Sequence, residues 1–323
     1  MSITYSLSEL KIAVGDYLEL GRSGWSADDT SRIVEIIKSA LSQVYYPTTE
    51  KGTYQWSWMR PISELTTNAP YDTGTIEVVS GVVTLSGGTF PAWAAQGEIV
   101  IAGGTYDVDT RDSDTQVTLI NTDVDRDSGT PYTLACYQYD LPDDFGGFEG
   151  DQMTYTPGQA ELYPAVTVTS DRIIRKKRQH YTERCRPRLV SYTPKTLVAA
   201  TGQRYEAQFY PTPNAAYTLH YKYKVIPDML SNDAHFPHGG PAVGELILQA
   251  CLSVAEQRHN DEVRIHTNEF NKRLTAAISD DAESFSPDTL GYNSDNSDRV
   301  MRDPHDQVAV HSFEGTYYYD KNP

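Results

Sequence analysis

Between residues 73 and 137 the chain has no lysine, only Arg111 and Arg126 as cations, and nine acidic residues. The stretch reads as short β-forming runs: TIEVV, VVTLS, EIVIA, TYDVDT, QVTLI and YTLACY, each closed by turn-forming residues. Short runs at this spacing have to fold back on one another, so they predict a small β-barrel or sandwich. Helical patterns lie on both sides, which makes this a compact β-domain inserted into one scaffold.

The scaffold begins with a helix over 26–45. Ser26 caps it, with Asp29 three residues on, and Ile33, Ile36, Ile37, Ala40, Leu41 and Val44 form one apolar stripe. Pro47 ends it. GTYQWSWMRPI (52–62) is expected as a strand carrying Tyr54, Trp56 and Trp58. After the insert come a helix at about 170–183 and strands over 188–193, 203–210 and 216–225. In the last strand Tyr217, Leu219, Tyr221 and Tyr223 alternate with Thr218, His220, Lys222 and Lys224, the period of a half-buried strand. Two further stripes, Val243 to Val254 and Val263 to Ile278, predict an antiparallel pair of helices over 240–259 and 262–280.

The expected fold class is therefore α+β. A helical scaffold (1–72 and 139–283) carries a small antiparallel sheet, an inserted β-barrel or sandwich domain (73–138) and an extended C-terminal arm (284–323). The three long helices should pack beside the sheet holding 217–225.

The formal charge of −17 over 323 residues excludes a chain that binds nucleic acid over its whole surface, since that requires a cationic footprint. Three cysteines (Cys136, Cys185 and Cys251) without CxxC spacing give neither a disulfide framework nor a zinc signature and point to a reducing compartment. The first twenty residues lack the pattern of a secretory signal, and no apolar run approaches membrane-spanning length. Tyrosine is abundant, 23 against 8 Phe and 4 Trp, as suits surfaces that become interfaces.

Few residues offer chemistry. Asp123, Asp125 and Asp127 have the alternate spacing of a calcium loop, but Ser128 and Leu134 stand where its glycine and final carboxylate belong. That segment, like DVDTRDSD (107–114), reads as a solvated acidic hairpin. Asp140, Asp143, Asp144 and Glu149 cluster in sequence, yet a glycosidase needs two carboxylates at a set separation, and LPDDF reads as a turn. His235 and His238 lack a third ligand at helical spacing. No GxSxG, HExxH, Walker A or GxGxxG motif is present. The chain is not expected to be an enzyme or to use a cofactor.

Charge is concentrated in SDRIIRKKRQHYTERCRPR (170–188), which holds eight of the chain's 27 cations. Arg172, Arg175, Lys176, Lys177 and Arg178 are candidates for contact with a neighbouring copy, another protein or passing DNA. In the arm, QVAVHSF alternates, and Val308, Val310, Phe313, Tyr317, Tyr318 and Tyr319 are too apolar for a segment meant only to be solvated. They suit strand addition to a partner's edge.

The segments YDLPDDF, RYEAQFYPTPNAAYTLHYKYKVIPDML, GELILQACLSVAEQRHND and FNKRLTAAISDD resemble tailed-phage head-to-tail adaptor (connector or neck) proteins. The resemblance spans roughly 26–72 and 139–283. It implies a dodecameric ring beneath the portal protein that extends the DNA channel, meets a tail or stopper protein and touches double-stranded DNA in transit. It further implies a place in the virion neck after assembly in the host cytoplasm, away from membranes, with the arm reaching the portal. The alternative is a receptor- or carbohydrate-binding tail or fibre component, which should devote more of the chain to β-structure.

Overall fold

In the strand Thr218–Val225, Leu219, Tyr221, Tyr223 and Val225 are buried and the residues between them are half-exposed, so the period-two pattern is the burial pattern. This strand lies in a seven-stranded sheet. The computed structural model describes residues 4–50, 52–156, 165–180, 183–195, 202–260, 264–284, 307–312 and 315–320.

The strand order of this first sheet is Gln138–Asp140, Tyr205–Tyr210, Leu189–Pro194, Ala165–Val168, Phe145–Tyr155, Thr218–Val225, Ile62–Thr66. All neighbours are antiparallel except Ala165–Val168 with Leu189–Pro194, where Thr167 faces Leu189 and Val168 faces Val190 in parallel. Among the described residues five α-helices accompany the sheets: α1 (Leu7–Tyr17), α2 (Ala27–Tyr45), α3 (Asp171–His180), α4 (Gly240–Asn260) and α5 (Ile265–Ser284). Helix α4 is central to the helical layer and packs on α1, α2 and α5. Its Val243, Leu246, Ile247 and Ala250 join Ile33, Ile36 and Ile37 of α2 and Phe209, Leu219 and Tyr221 of the sheet in one core.

Residues 75–136 form a second seven-stranded sheet, in the order Tyr132–Cys136, Gly97–Ile101, Gly104–Arg111, Gln116–Leu119, Val82–Ser86, Thr75–Val79, Arg126–Thr130. Its end strands are consecutive in the chain, and Tyr71 bonds both ways with Leu134 at 2.8 Å along the far edge, so the sheet curls. It has its own core, centred on Ile76, Val83, Ile99, Val117 and Leu134. Two of its hairpins turn through positive φ at both central residues, Ser80–Gly81 and Ala102–Gly103. That is the turn whose twist matches paired strands.

The architecture corrects the expected fold class. A helical scaffold with a small sheet and a small insert is not what forms; two large, curled, mostly antiparallel sheets dominate, with five helices. The strands that enlarge the first sheet carry weak sequence signals. Phe145–Tyr155 holds Gly146, Gly147 and Gly150, and its pairing with Thr218–Val225 shifts register twice, which destroys the alternation a reader looks for. Gly147 sits at φ +142, and a Cβ on Gly146 would fall 2.5 Å from Ile226 Cγ1. The 52–62 segment is not one strand either: only Gly52–Thr53 pairs, with Thr48–Thr49, Ser57–Met59 is a 3₁₀ turn, and the strand of the sheet begins at Ile62. Trp56 is buried and its indole donates to Val44 O at 2.7 Å, so the aromatic run fills the core rather than alternating across a sheet. Helix α1 adds an element that the sequence reading did not include, and Ser6 and Glu9 form a capping box at its start.

One buried carboxylate holds the helix pair together. Glu256 of α4 accepts from the Thr267 backbone N–H at 2.9 Å and the Thr267 hydroxyl at 2.8 Å, satisfying the exposed N-terminus of α5. Burial pushes the Glu256 carboxyl up, but bonds from Thr267, Arg264 and His266 outweigh it and hold it below its ordinary 4.5. A depressed folded value means the contribution is complete above the unfolded value and is lost as pH falls through the folded one. Glu256→Ala should lower stability by about 2–3 kcal/mol, the scale of hydrogen bonds to a charged group. A denaturant series taken from neutral pH downward should show a smaller acid-linked loss in the variant than in the wild type, the two stabilities converging as Glu256 protonates.

Candidate functional site

Parallel neighbours cannot be joined by a tight turn, so the chain must cross over between Ala165–Val168 and Leu189–Pro194. Helix α3, the most basic segment of the sequence, makes that crossover and packs on Leu189–Pro194 and Tyr205–Tyr210. Ile174 is fully buried, and four residues on, Arg178 points the same way. Arg172, Arg175, Lys176 and Lys177 are exposed. Arg175 pairs with Asp171 one turn earlier at 2.8 Å, and the Lys177 ammonium lies 5.5 Å from the Tyr210 ring centre.

Arg178 crosses to the second sheet. Its guanidinium reaches Glu98 Oε2 at 2.8 Å, and Glu98 is fully buried. The Thr212 hydroxyl donates to the other carboxylate oxygen at 3.0 Å, and Asp107 stands 3.7 Å from the same guanidinium. The guanidinium plane stacks on Tyr137 at 3.4 Å. Burial raises the Tyr137 hydroxyl far above its usual range, reinforced by Asp107 and opposed by Arg178. Arg184, next along the basic segment, donates to Thr133 O in the second sheet, and burial lowers its pKa. The five candidate cations thus divide: four present charge to solvent, and Arg178 is spent on joining the two sheets.

A cleft of about 190 Å³ lies where α2, the 53–60 segment and the end of Thr218–Val225 meet. Tyr46, Tyr54, Trp56, Met59 and Ile226 line it, with Arg60 and Lys224. Tyr46 and Ile226 are 42% and 48% exposed, so this apolar surface is open to a partner. Burial and the neighbouring Asp281 push the Tyr54 hydroxyl up to about 12.

The SU10 adaptor protein family matches residues 5–291, which takes in both seven-stranded sheets and all five helices. The protein belongs to that family. No curated protein matches its sequence. Membership makes the chain a phage adaptor, a structural component of the virion.

The adaptor's other charged clusters are committed to pairs. Asp140 meets Lys195 at 2.6 Å, Asp143 meets Arg204 at 3.1 Å, and Glu149 meets Arg60 at 3.0 Å. Asp144 accepts from the Tyr223 hydroxyl at 3.1 Å. In the acidic hairpins Asp125 accepts from the Ser80 N–H, and Asp112 accepts from the Thr110 and Thr118 hydroxyls. His238 donates its backbone N–H to Tyr45, and His235 O accepts from Leu7 N, so both belong to the helix-entry loop. Among the described residues no helix is long and apolar enough to cross a membrane.

In the arm, Gln307–Ser312 pairs antiparallel with Gly315–Asp320, setting Val308 opposite Tyr319 and Val310 opposite Tyr317. This is a hairpin where an extended segment was expected. Phe313 lies outside the described residues, as do residues 285–306. No local pattern marks the cleft, because its lining comes from four separated segments, 45–46, 53–60, Gly146 and 224–226.

Arg178→Ala should leave Glu98 buried and uncompensated, and lower stability by about 3–5 kcal/mol. Arg175→Ala and Lys176→Ala, on the exposed face, should each change it by less than about 0.5 kcal/mol. Chemical denaturation of the three variants checks this, and Glu98→Gln should partly restore the Arg178→Ala protein.

Proposed function

We propose that the adaptor is a non-enzymatic part of the virion neck that forms a dodecameric ring between the portal protein and a tail or stopper protein, extending the DNA channel. It assembles in the host cytoplasm and needs neither membrane nor cofactor. The observation that carries this reading is the family match over 5–291, joined to the head-to-tail adaptor resemblance of the helical and tyrosine-strand segments. The engagement of Asp140, Asp143 and Glu149 with cations and of Asp144 with Tyr223 supports a structural role.

Electrostatics suit a conduit. A surface of net charge −17 repels phosphate, so DNA slides without sticking. The outward face of α3 is the local exception, and Arg172, Arg175, Lys176 and Lys177 are placed to meet an acidic surface on a neighbouring copy or the passing duplex. The segment carrying Val308, Val310, Phe313 and Tyr317 to Tyr319 is the portal-docking element.

A receptor- or carbohydrate-binding tail component was expected to be richer in β-structure. Two seven-stranded sheets meet that criterion, so β content does not separate the readings. Family membership favours the adaptor.

Negative-stain microscopy of the adaptor alone and with portal-bearing capsids tests the reading. Twelve-fold rings in either condition are the expected result; monomers in both, or trimers, overturn it. The fourfold variant R172Q/R175Q/K176Q/K177Q should fold normally yet assemble poorly or lose packaged DNA. Particles that assemble and retain DNA like wild type would show this face to be merely solvated.

A further inference from the structure

The outward face of α3 is not uniformly charged. Ile173 is 44% exposed there, flanked on the helix surface by Arg172, Lys176 and Lys177. Arg175 is spent on Asp171, but among the described residues no carboxylate pairs with Arg172, Lys176 or Lys177. The ion pairs that α3 makes with the second sheet of its own chain come from Arg178, on the opposite side of the helix.

The second sheet carries the converse surface at one corner. Val78, Val83, Val117 and Leu119 are buried on its inner face. Val79 stands opposite Val82, and Val82 opposite Thr118, so these residues and Ile120 belong to the other face. Val79 is 59% and Ile120 67% exposed. Two bonds hold the loop 121–127 against this corner: the Gly81 N–H donates to Val124 O at 3.0 Å, and the Ser80 N–H to the Asp125 carboxylate at 2.6 Å. Asp123 and Asp127, on either side of Asp125, are exposed, and among the described residues neither carboxylate has a cationic partner. Arg126, the one cation of the loop, is half-buried and donates to Asp125 O at 2.6 Å.

We propose that α3 of one copy docks on this corner of the next copy, with Ile173 against Val79 and Ile120, and Arg172 and Lys176 against Asp123 and Asp127. An apolar centre with a charged rim is the anatomy of a protein interface, and opposite signs select the partner and fix its register. Residues 73–137, with nine carboxylates and two cations, also set up the field that draws a basic helix in. Two different surfaces meeting head to tail close into a ring when the rotation permits, whereas a self-complementary patch would stop at a dimer. Duplex DNA could neutralise the cations, but the acidic corner would repel it and its exposed apolar pair would stay uncovered. This contact presupposes the ring proposed above and supplies its subunit boundary.

Charge reversal in the full-length adaptor tests it, followed by sedimentation of the protein alone and with portal-bearing capsids. R172E/K176E and D123K/D127K should each weaken assembly about tenfold or more, since each sets like charges against one another. The chain with all four changes regains opposite charges at every contact and should assemble as the wild type does. An equimolar mixture of the two reversed chains should do so as well, in alternating order. Asp125 is left in place because it holds the hairpin turn. All four positions are exposed, so thermal unfolding should match the wild type, and R172Q/K176Q or D123N/D127N replaces any reversal that does not. Reversed chains that assemble like wild type, or a fourfold variant no better than either pair, overturn the proposal and leave the ring reading standing. Loss with R172E/K176E but not with D123K/D127K also overturns it, and gives the cationic face to DNA or another partner. A wild type that stays monomeric both alone and with capsids overturns this contact and the ring together.

Discussion

A fully buried carboxylate on one sheet, Glu98, is neutralised by a guanidinium from a helix that belongs to the other. Removing a carboxylate from water costs several kcal/mol, and only a close, well-bonded partner offsets that. Arg178 and the Thr212 hydroxyl supply the bonds, and Tyr137 covers the guanidinium face. The two sheets have largely separate hydrophobic cores, so their apolar packing alone does little to fix one against the other. This ion pair, together with the two chain crossings around Tyr71 and Tyr137, sets their relation.

The same pair orients the exposed face of α3. Helix α3 exists because parallel strands need a crossover, and its inward positions are taken by Ile174 and Arg178. What remains outward is a row of cations on a helix packed against the sheet. The large share of tyrosine finds a related use. Tyr139 accepts from the Asn68 N–H, Tyr155 donates to Pro187 O and Tyr132 to Thr73 O, all through buried rings that join segments distant in sequence. Many of the tyrosines that suggested outer interfaces thus serve internal seams, leaving Tyr46 and Tyr192 among those that face solvent.

Local pattern was enough for several elements and their faces. The stripes of α2 and α4, the alternation of Thr218–Val225 and the short runs of 75–136 each depend on neighbours in the chain. Burial of one side follows directly from the spacing of apolar residues. The concentration of cations in 170–188 was equally plain. What sequence could not supply was the size of the first sheet. Phe145–Tyr155 and Ile62–Thr66 become strands through partners far away in the chain, and glycine bulges erase the periodicity of the former. Nor could it tell Arg178 from Lys177. Adjacent residues on a helix point in directions about 100° apart, and only the position of Glu98 on another sheet decides which one is buried. Residue identity fixed the local conformations and the charge available; which charges are locked inside and which face a partner was decided by contacts between segments that sequence keeps apart.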